Sequence, residues 1–145
     1  MIDAKRDCRM TYFLAKTEPS TYSIDQLRQE EQTIWDGVKN PQAVKAISQM
    51  RPGDRVFIYH SGGQSAIVGL AKVLEAPHAD PKDSKSMVVK LGYLSHLSPP
   101  TGLADVKKSK QFEDWALVRQ SRLSTMAVPD WFVDWMRERY PGVRF

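Results

Sequence analysis

The stretch "RPGDRVFIYHSGGQSAIVGLAKVLE", residues 51–75, constrains the fold more than any other part of the chain. Two apolar runs rich in β-branched and aromatic residues, "RVFIYH" and "AIVGLAKVLE", are separated only by "SGGQS". So short a link turns a chain back on itself but cannot carry the helical crossover that parallel neighbours require. The two runs are therefore expected to pair as an antiparallel hairpin, and a doubly wound parallel sheet does not fit. Pro52 and Gly53 take the central positions of a type II turn that launches the first run. Gly69, inside the second, marks a bulge or a close backbone approach.

The other segments group around this hairpin. "TYFLA", 11–15, reads as the first strand, and "KTEPSTYS" after it as a loop. Ser23 with Gln26 forms a capping-box pattern ahead of the helical "IDQLRQEE". "TIWDGV", 33–38, is short and apolar. Asn40 followed by Pro41 then starts a helix whose Ala43, Ala46, Ile47 and Met50 share one face. "HADPKDSKS", 78–86, reads as a polar loop, and "MVVKLGYLSHL" as a third long β run closed by "SPPTG". Two short helical pieces are expected between 103 and 119, and "RLSTMAV" as a last extended segment. "PDWFVDWMRERY" reads as a closing amphipathic helix with Trp131, Phe132, Trp135, Met136 and Tyr140 in its apolar stripe. Strands in the middle with short helices at the ends predict an α+β fold, a small curved sheet or barrel with helices over its openings.

The chain has 145 residues, enough for one domain with a real core, taken as 10–145. Residues 1–9 have no apolar segment of the kind a secretory signal carries and are expected to be a floppy leader. With 41% hydrophobic and 26% charged residues, global disorder does not fit. Net charge is +4, which suits an acidic partner such as nucleic acid without demanding one. The densest basic patch, "KKSK" at 107–110, also reads as an ordinary solvated face. One cysteine, Cys8, allows no disulfide within the chain and points to a reducing compartment, the cytoplasm. No apolar run is long enough to cross a membrane as a helix.

No phosphate loop, dinucleotide fingerprint or Cys/His cluster is present, and the three histidines, His60, His78 and His96, lack ligand spacing. No metal or other cofactor is expected. What stands out is that the strand "RVFIYH" ends in Tyr59-His60-Ser61 rather than in bland turn residues. By alternation Tyr59 and Ser61 share one face and His60 the other, unless the strand breaks at 60.

The ordered segments "FLAKTEPSTYSIDQL", "WDGVKNPQAVKAISQMRPGDRVFIYHS", "IVGLAKV" and "RLS" resemble the EVE domain. W-x-G-V-x-N followed by G-D-x-x-x-x-Y-H-S is the specific part, and the match runs from about residue 10 to the closing helix. One departure is Ala43-Val44-Lys45, where such proteins often carry Ala-Arg-Asn, so a basic contact would pass from Arg to Lys. The resemblance implies a PUA-like pseudo-barrel of mostly antiparallel strands with short covering helices. It implies, too, a pocket that reads a modified base in DNA or RNA, akin to the methyl-base cage of YTH domains.

Reading a base requires taking it out of the stack, at a cost of a few kcal/mol, with stacking on an aromatic ring returning about 1–3 kcal/mol. An aromatic ring, amide or hydroxyl groups and a cationic rim are therefore needed. Trp35 is the first stacking candidate, with plain core as the alternative. Asn40 offers an amide to a base edge or serves only as a helix cap. Tyr59 and Ser61 line the pocket or merely rim the barrel, and His60 reaches the ligand or bonds a backbone group. Lys16 and Glu18 bracket the ligand or pair with each other; Arg122 and Ser124 contact it or brace the floor. The leading expectation is a non-enzymatic, monomeric reader, cytoplasmic unless nucleoid-associated or nuclear. The alternatives are a small amidohydrolase acting on a modified nucleoside, using Lys16, and a small-ligand or protein-interaction adaptor.

Overall fold

The computed structural model of the protein describes residues 10–145, and the expected leader, with Cys8, lies outside them. Chain order is β1 (Tyr12–Thr17), α1 (Ile24–Glu30), β2 (Gln32–Trp35), α2 (Pro41–Ser48), β3 (Arg55–His60) and β4 (Ala66–Asp80). There follow β5 (Asp83–Gly102), α3 (Leu103–Ser109), α4 (Ala116–Arg119), β6 (Thr125–Ala127) and α5 (Asp130–Arg139). The strands form one open sheet in the order β2-β5-β4-β3-β1-β6. All neighbours are antiparallel except β1 and β3, which run parallel with Tyr12 beside Arg55 and Thr17 beside His60.

The expected hairpin is β3–β4. Gly53 sits at φ +96°, the conformation a type II turn demands, and the Asp54 amide donates to the Arg51 carbonyl. The buried Asp54 carboxylate accepts from the Arg51 and Thr11 amides at 2.9 and 3.0 Å, tying that turn to the approach to β1. Gly69 lies at an irregularity of the β4–β5 ladder, opposite a second one at Ile58/Tyr59 of β3. A Cβ built there would stand 2.5 Å from Ile24 Cδ1 and 3.0 Å from the Ser95 carbonyl oxygen, so this is the close approach the glycine announces.

Two segments differ from expectation. "HADPKDSKS" is not a loop: β4 and β5 run through it and reverse at Pro81-Lys82, and β5 continues through "SPPTG" to Gly102. Ladder bonds between backbones need no apolar side chains, so a solvated extension of a hairpin leaves no hydrophobic pattern in the sequence. Trp131, expected in the stripe of α5, is 60% exposed. The buried face of that helix is Phe132, Val133 and Met136, where Phe132 packs edge-on to Phe57 and Phe112. The capping box of α1 is half formed: Ser23 Oγ accepts from the Gln26 amide, while Gln26 turns to Glu30.

None of the helices among the described residues is long and apolar enough to cross a membrane. Gly69→Ala is expected to destabilise the fold by about 1–3 kcal/mol, because the added methyl overpacks against Ile24 and a backbone carbonyl that cannot retreat. A chemical-denaturation midpoint equal to that of the wild type would contradict this.

Candidate functional site

A half-open cavity of about 470 Å³ lies where the ends of β1 and β2 meet the turn before α1 and the approach to β6. Its volume falls within the roughly 300–1,000 Å³ typical of small-ligand pockets. Lys16 and Thr17 contribute from β1, Thr33 to Trp35 from β2, Asp36 to Val38 from the loop beyond, and Ser124 from ahead of β6. Thr21 and Tyr22 close the remaining side.

Each wall has a local reason for its place. The Lys16 amide donates to the Ser124 carbonyl at 2.8 Å, extending the β1–β6 ladder and setting Ser124 beside Lys16. Ser86 Oγ donates to the Val38 carbonyl at 2.5 Å, anchoring the loop that follows Trp35. Tyr22 is held by backbone and side chain alike. Its amide donates to Glu18, its carbonyl accepts from Thr17 Oγ1 at 2.9 Å, and its hydroxyl donates to Glu30 Oε1 at 2.7 Å. It meets Trp35 edge-on, with ring centroids 6.0 Å apart and planes at 90°. Trp35 is 9% exposed, while its neighbour Ile34, on the edge strand, is 49% exposed at the rim.

The charged groups among the lining residues are one lysine and one aspartate. Lys16 Nζ donates to the Ser121 carbonyl at 2.9 Å and lies 5.3 Å from the centre of the Tyr59 ring. Its burial holds the ammonium below the ordinary lysine value. Burial likewise pushes the Tyr22 and Tyr59 phenols up.

Of the nine candidates, Lys16, Trp35 and Ser124 line this cavity together. Asn40 caps α2, its Oδ1 accepting from the Gln42 and Ala43 amides at 2.8 and 3.2 Å. Tyr59 is buried beneath Lys16. β3 ends at His60, and Tyr59 and His60 are both buried because β3, inside the sheet, is covered on both faces from Val56 onward. His60 Nε2 accepts from the Ile24 amide at 3.1 Å, so its proton sits on Nδ1, which donates to Gln64 Oε1 at 2.8 Å. Ser61 lies past the strand end, its amide donating to the Thr17 carbonyl. Glu18 lies beyond β1 on the exposed surface, with no ion pair to Lys16. Arg122 is exposed, two residues before Ser124.

Tyr22, Thr17, Thr33 and Asp36 join the site without having been singled out from sequence. Thr33 was legible as the alternate neighbour of Trp35 on a strand, and Tyr22 as a large aromatic ring inside a hydroxyl-rich loop. Asp36 carried no such signal.

The open α+β sheet with one parallel pair and helices packed over it is a PUA-like fold. The EVE domain matches residues 11–139, and the chain belongs to that family. Thymocyte nuclear protein 1 of Rattus norvegicus is 36% identical over 81 residues, covering 48% of this chain and 36% of the rat protein. The chain thus spans about a third of that relative's length. The structure of Rpa0253 from Rhodopseudomonas palustris is 33% identical with a TM-score of 0.85, covering 94% of this chain and 97% of that one. Human THYN1, in complex with 5-methylcytosine-containing DNA, shares the fold at 21% identity, with a TM-score of 0.81 over 92% of this chain and 99% of that one.

Because burial lowers the Lys16 pKa, its ammonium loses its proton at a less alkaline pH than the ordinary value of 10.5. The unfolded chain keeps that proton longer, so the contribution of Lys16 to stability rises as pH climbs through the lowered value. A side-chain NMR titration of Lys16 Cε should place the midpoint below 10.5. A midpoint at or above it would show that the Ser121 bond and the Tyr59 ring outweigh burial.

Proposed function

We propose that this chain is a non-enzymatic module that takes a modified base, swung out of DNA or RNA, into the cavity between Lys16, Tyr22, Trp35 and Ser124. The observation that carries the reading is the pair of mutually perpendicular aromatic rings, Trp35 and Tyr22, lining one cavity with four hydroxyl side chains. An aromatic wall offers a base stacking worth about 1–3 kcal/mol, which offsets the few kcal/mol spent in unstacking it. Hydroxyls, Lys16 and Asp36 offer donors and acceptors to its polar edge. An edge group buried without a partner costs about 1–3 kcal/mol, and that penalty is the source of selectivity.

Arg122 and Lys39, both exposed and each next to a lining segment, supply the cationic rim for flanking phosphates. Asn40, Tyr59, His60 and Ser61 serve the pocket from outside its lining, by fixing α2, Lys16, α1 and the end of β3. Glu18 does so through its carbonyl, which accepts from the amides of Thr21 and Tyr22. The complex of the related THYN1 fold with 5-methylcytosine-containing DNA supports a modified base as partner. The net charge of +4 fits a polyanion. The module acts as a monomer, in whichever compartment holds that nucleic acid, cytoplasm or nucleus.

One observation favours a second reading, hydrolysis of an amide on a modified nucleoside. A lysine whose pKa is lowered by burial, set beside hydroxyls and an aspartate, is a candidate base or nucleophile. Product formation from acylated nucleosides, followed by mass spectrometry, would establish it and displace the binding reading.

The direct test is a tryptophan-fluorescence titration with matched oligonucleotides, unmodified or carrying 5-methylcytosine, at low and high salt. Saturable quenching should favour the modified strand and weaken with salt as phosphate contacts exchange for counterions. Trp35→Phe keeps a ring but removes the reporter, and should abolish the quenching. Trp35→Ala should weaken affinity about 5- to 150-fold, the equivalent of a lost stack. Affinity equal for both strands and independent of salt would sink the proposal and favour a small-ligand or protein adaptor.

A further inference from the structure

We infer that His60 is a positioning residue whose uncharged imidazole holds Tyr22, and with it one wall of the cavity, in place, so that protonation of His60 opens the site. The effect on ligand affinity rests on the binding function proposed above; the effect on Tyr22 does not.

The argument starts from the first residues of α1. Tyr22 lies two residues before Ile24, and the turn that carries it is pinned from three strands, on the β1 side by Thr17 Oγ1, which donates to the Tyr22 carbonyl at 2.9 Å. On the β3 side, His60 Nε2 accepts the Ile24 amide proton at 3.1 Å. On the β5 side, His96 Nε2 donates to Asp25 Oδ1 at 2.7 Å, and its Nδ1 meets the Tyr93 hydroxyl at 2.7 Å. Ile24 itself is buried against Gly69.

The two histidines answer a proton in opposite ways. His96 keeps both partners in either form. Neutral, it accepts from Tyr93 and donates to Asp25; charged, it donates to both and adds an ion pair. His60 has no such latitude. Gln64 Oε1 already takes the Nδ1 proton, so a second proton must go to Nε2, where it would face the Ile24 N–H. Two donors then point at each other in a site where His60 is 6% exposed, and the Ile24 amide loses its acceptor.

Asp25 from α1 is the charged group that feels His60; Arg28 of α1 and His96 of β5 bind Asp25 in turn, Tyr93 stands behind His96, and Tyr59 precedes His60 on β3. The Asp25 carboxylate lies close enough to feel the charge of His60, yet His96 and Arg28 already draw on it. It therefore attracts the proton without replacing the lost acceptor. As pH falls, α1 stays tethered at Asp25 and is released at Ile24. The turn carrying Tyr22 is then left with its Thr17 bond and the His96 tether, and the Tyr22–Trp35 edge contact loosens.

The test follows the Ile24 amide and the Tyr22 ring by NMR in the free protein as the pH is lowered from about 8 through the acid range. In the wild type both signals should move together with one midpoint. In His60→Gln, whose amide oxygen reaches the place of Nε2 and does not titrate, the shared transition should be absent. Gln64→Ala, which leaves His60 intact but frees its Nδ1 proton, should disturb the Ile24 amide already at neutral pH. Affinity for the 5-methylcytosine oligonucleotide should drop about tenfold in the wild type across this range, the scale of one unpaired buried donor, and should lose that dependence in His60→Gln.

An Ile24 amide that does not titrate, or a Tyr22 ring that ignores it, overturns the inference whatever the ligand does. A coupled titration with unchanged affinity overturns the gating of the site. If no oligonucleotide binds at any pH, the proposed function fails, and the free-protein signals still decide the role of His60.

Discussion

Ile24 occupies the space where residue 69 has no side chain, and the rest of the site is arranged around that contact. The glycine lets the start of α1 lie directly on the β3–β4 hairpin, closer than any side chain at 69 would allow. Once Ile24 is seated, its amide meets His60 and its neighbour Asp25 meets His96, so the helix start is fixed from two strands. Tyr22 is then carried to the edge of Trp35, and the loop between β1 and α1 becomes a wall instead of a free connection. A packing vacancy in one strand thus sets the position of an aromatic ring on a different element.

The polar chemistry around this contact is divided by burial. Several groups inside are engaged: Asp54 with two amides, His60 with Ile24 and Gln64, Ser86 with Val38, while the buried hydroxyls of Ser95 and Thr125 have no partner. Groups facing the cavity keep unused hydrogen-bonding capacity, because they meet solvent and need no partner within the fold. Lys16 stands between the two regimes. One donor is committed to Ser121 and its stem covers Tyr59, while the ammonium retains further donors at the cavity. This division separates residues that build a pocket from residues that can serve a ligand, although both kinds are polar.

The Tyr59-His60-Ser61 strand end shows how far residue type alone carries. A phenol, an imidazole and a hydroxyl look alike as candidates for a site. In the fold they have three different fates: Tyr59 lies under a lysine, His60 braces a helix from behind the cavity, and Ser61 continues the backbone pairing with Thr17. Tyr59 and His60 are both buried because β3 lies inside the sheet and is covered on both faces, so burial there does not follow alternation. The extra residue of the irregularity at Ile58/Tyr59 lies on the partner strand β4, beside the Gly69 that marks it.

What the sequence determined by itself was local, or written in ordered motifs. The β3–β4 hairpin followed from the brevity of "SGGQS", the type II turn from Pro52-Gly53, and the start of α2 from Asn40-Pro41. The membership of the chain in the EVE family followed from the order of its motifs. Each of these rests on the dihedral preferences or hydrogen bonds of neighbouring residues, or on residue order, so no distant contact is needed to see them. Only the tertiary structure decided that Lys16, Tyr22, Trp35, Asp36 and Ser124 share one cavity, and that β4 and β5 extend through a polar stretch. The reason is physical: convergence depends on sheet order and register, which pair residues such as Lys16 and Ser124 across more than a hundred positions. Those pairings are made by backbone bonds that every sequence can form.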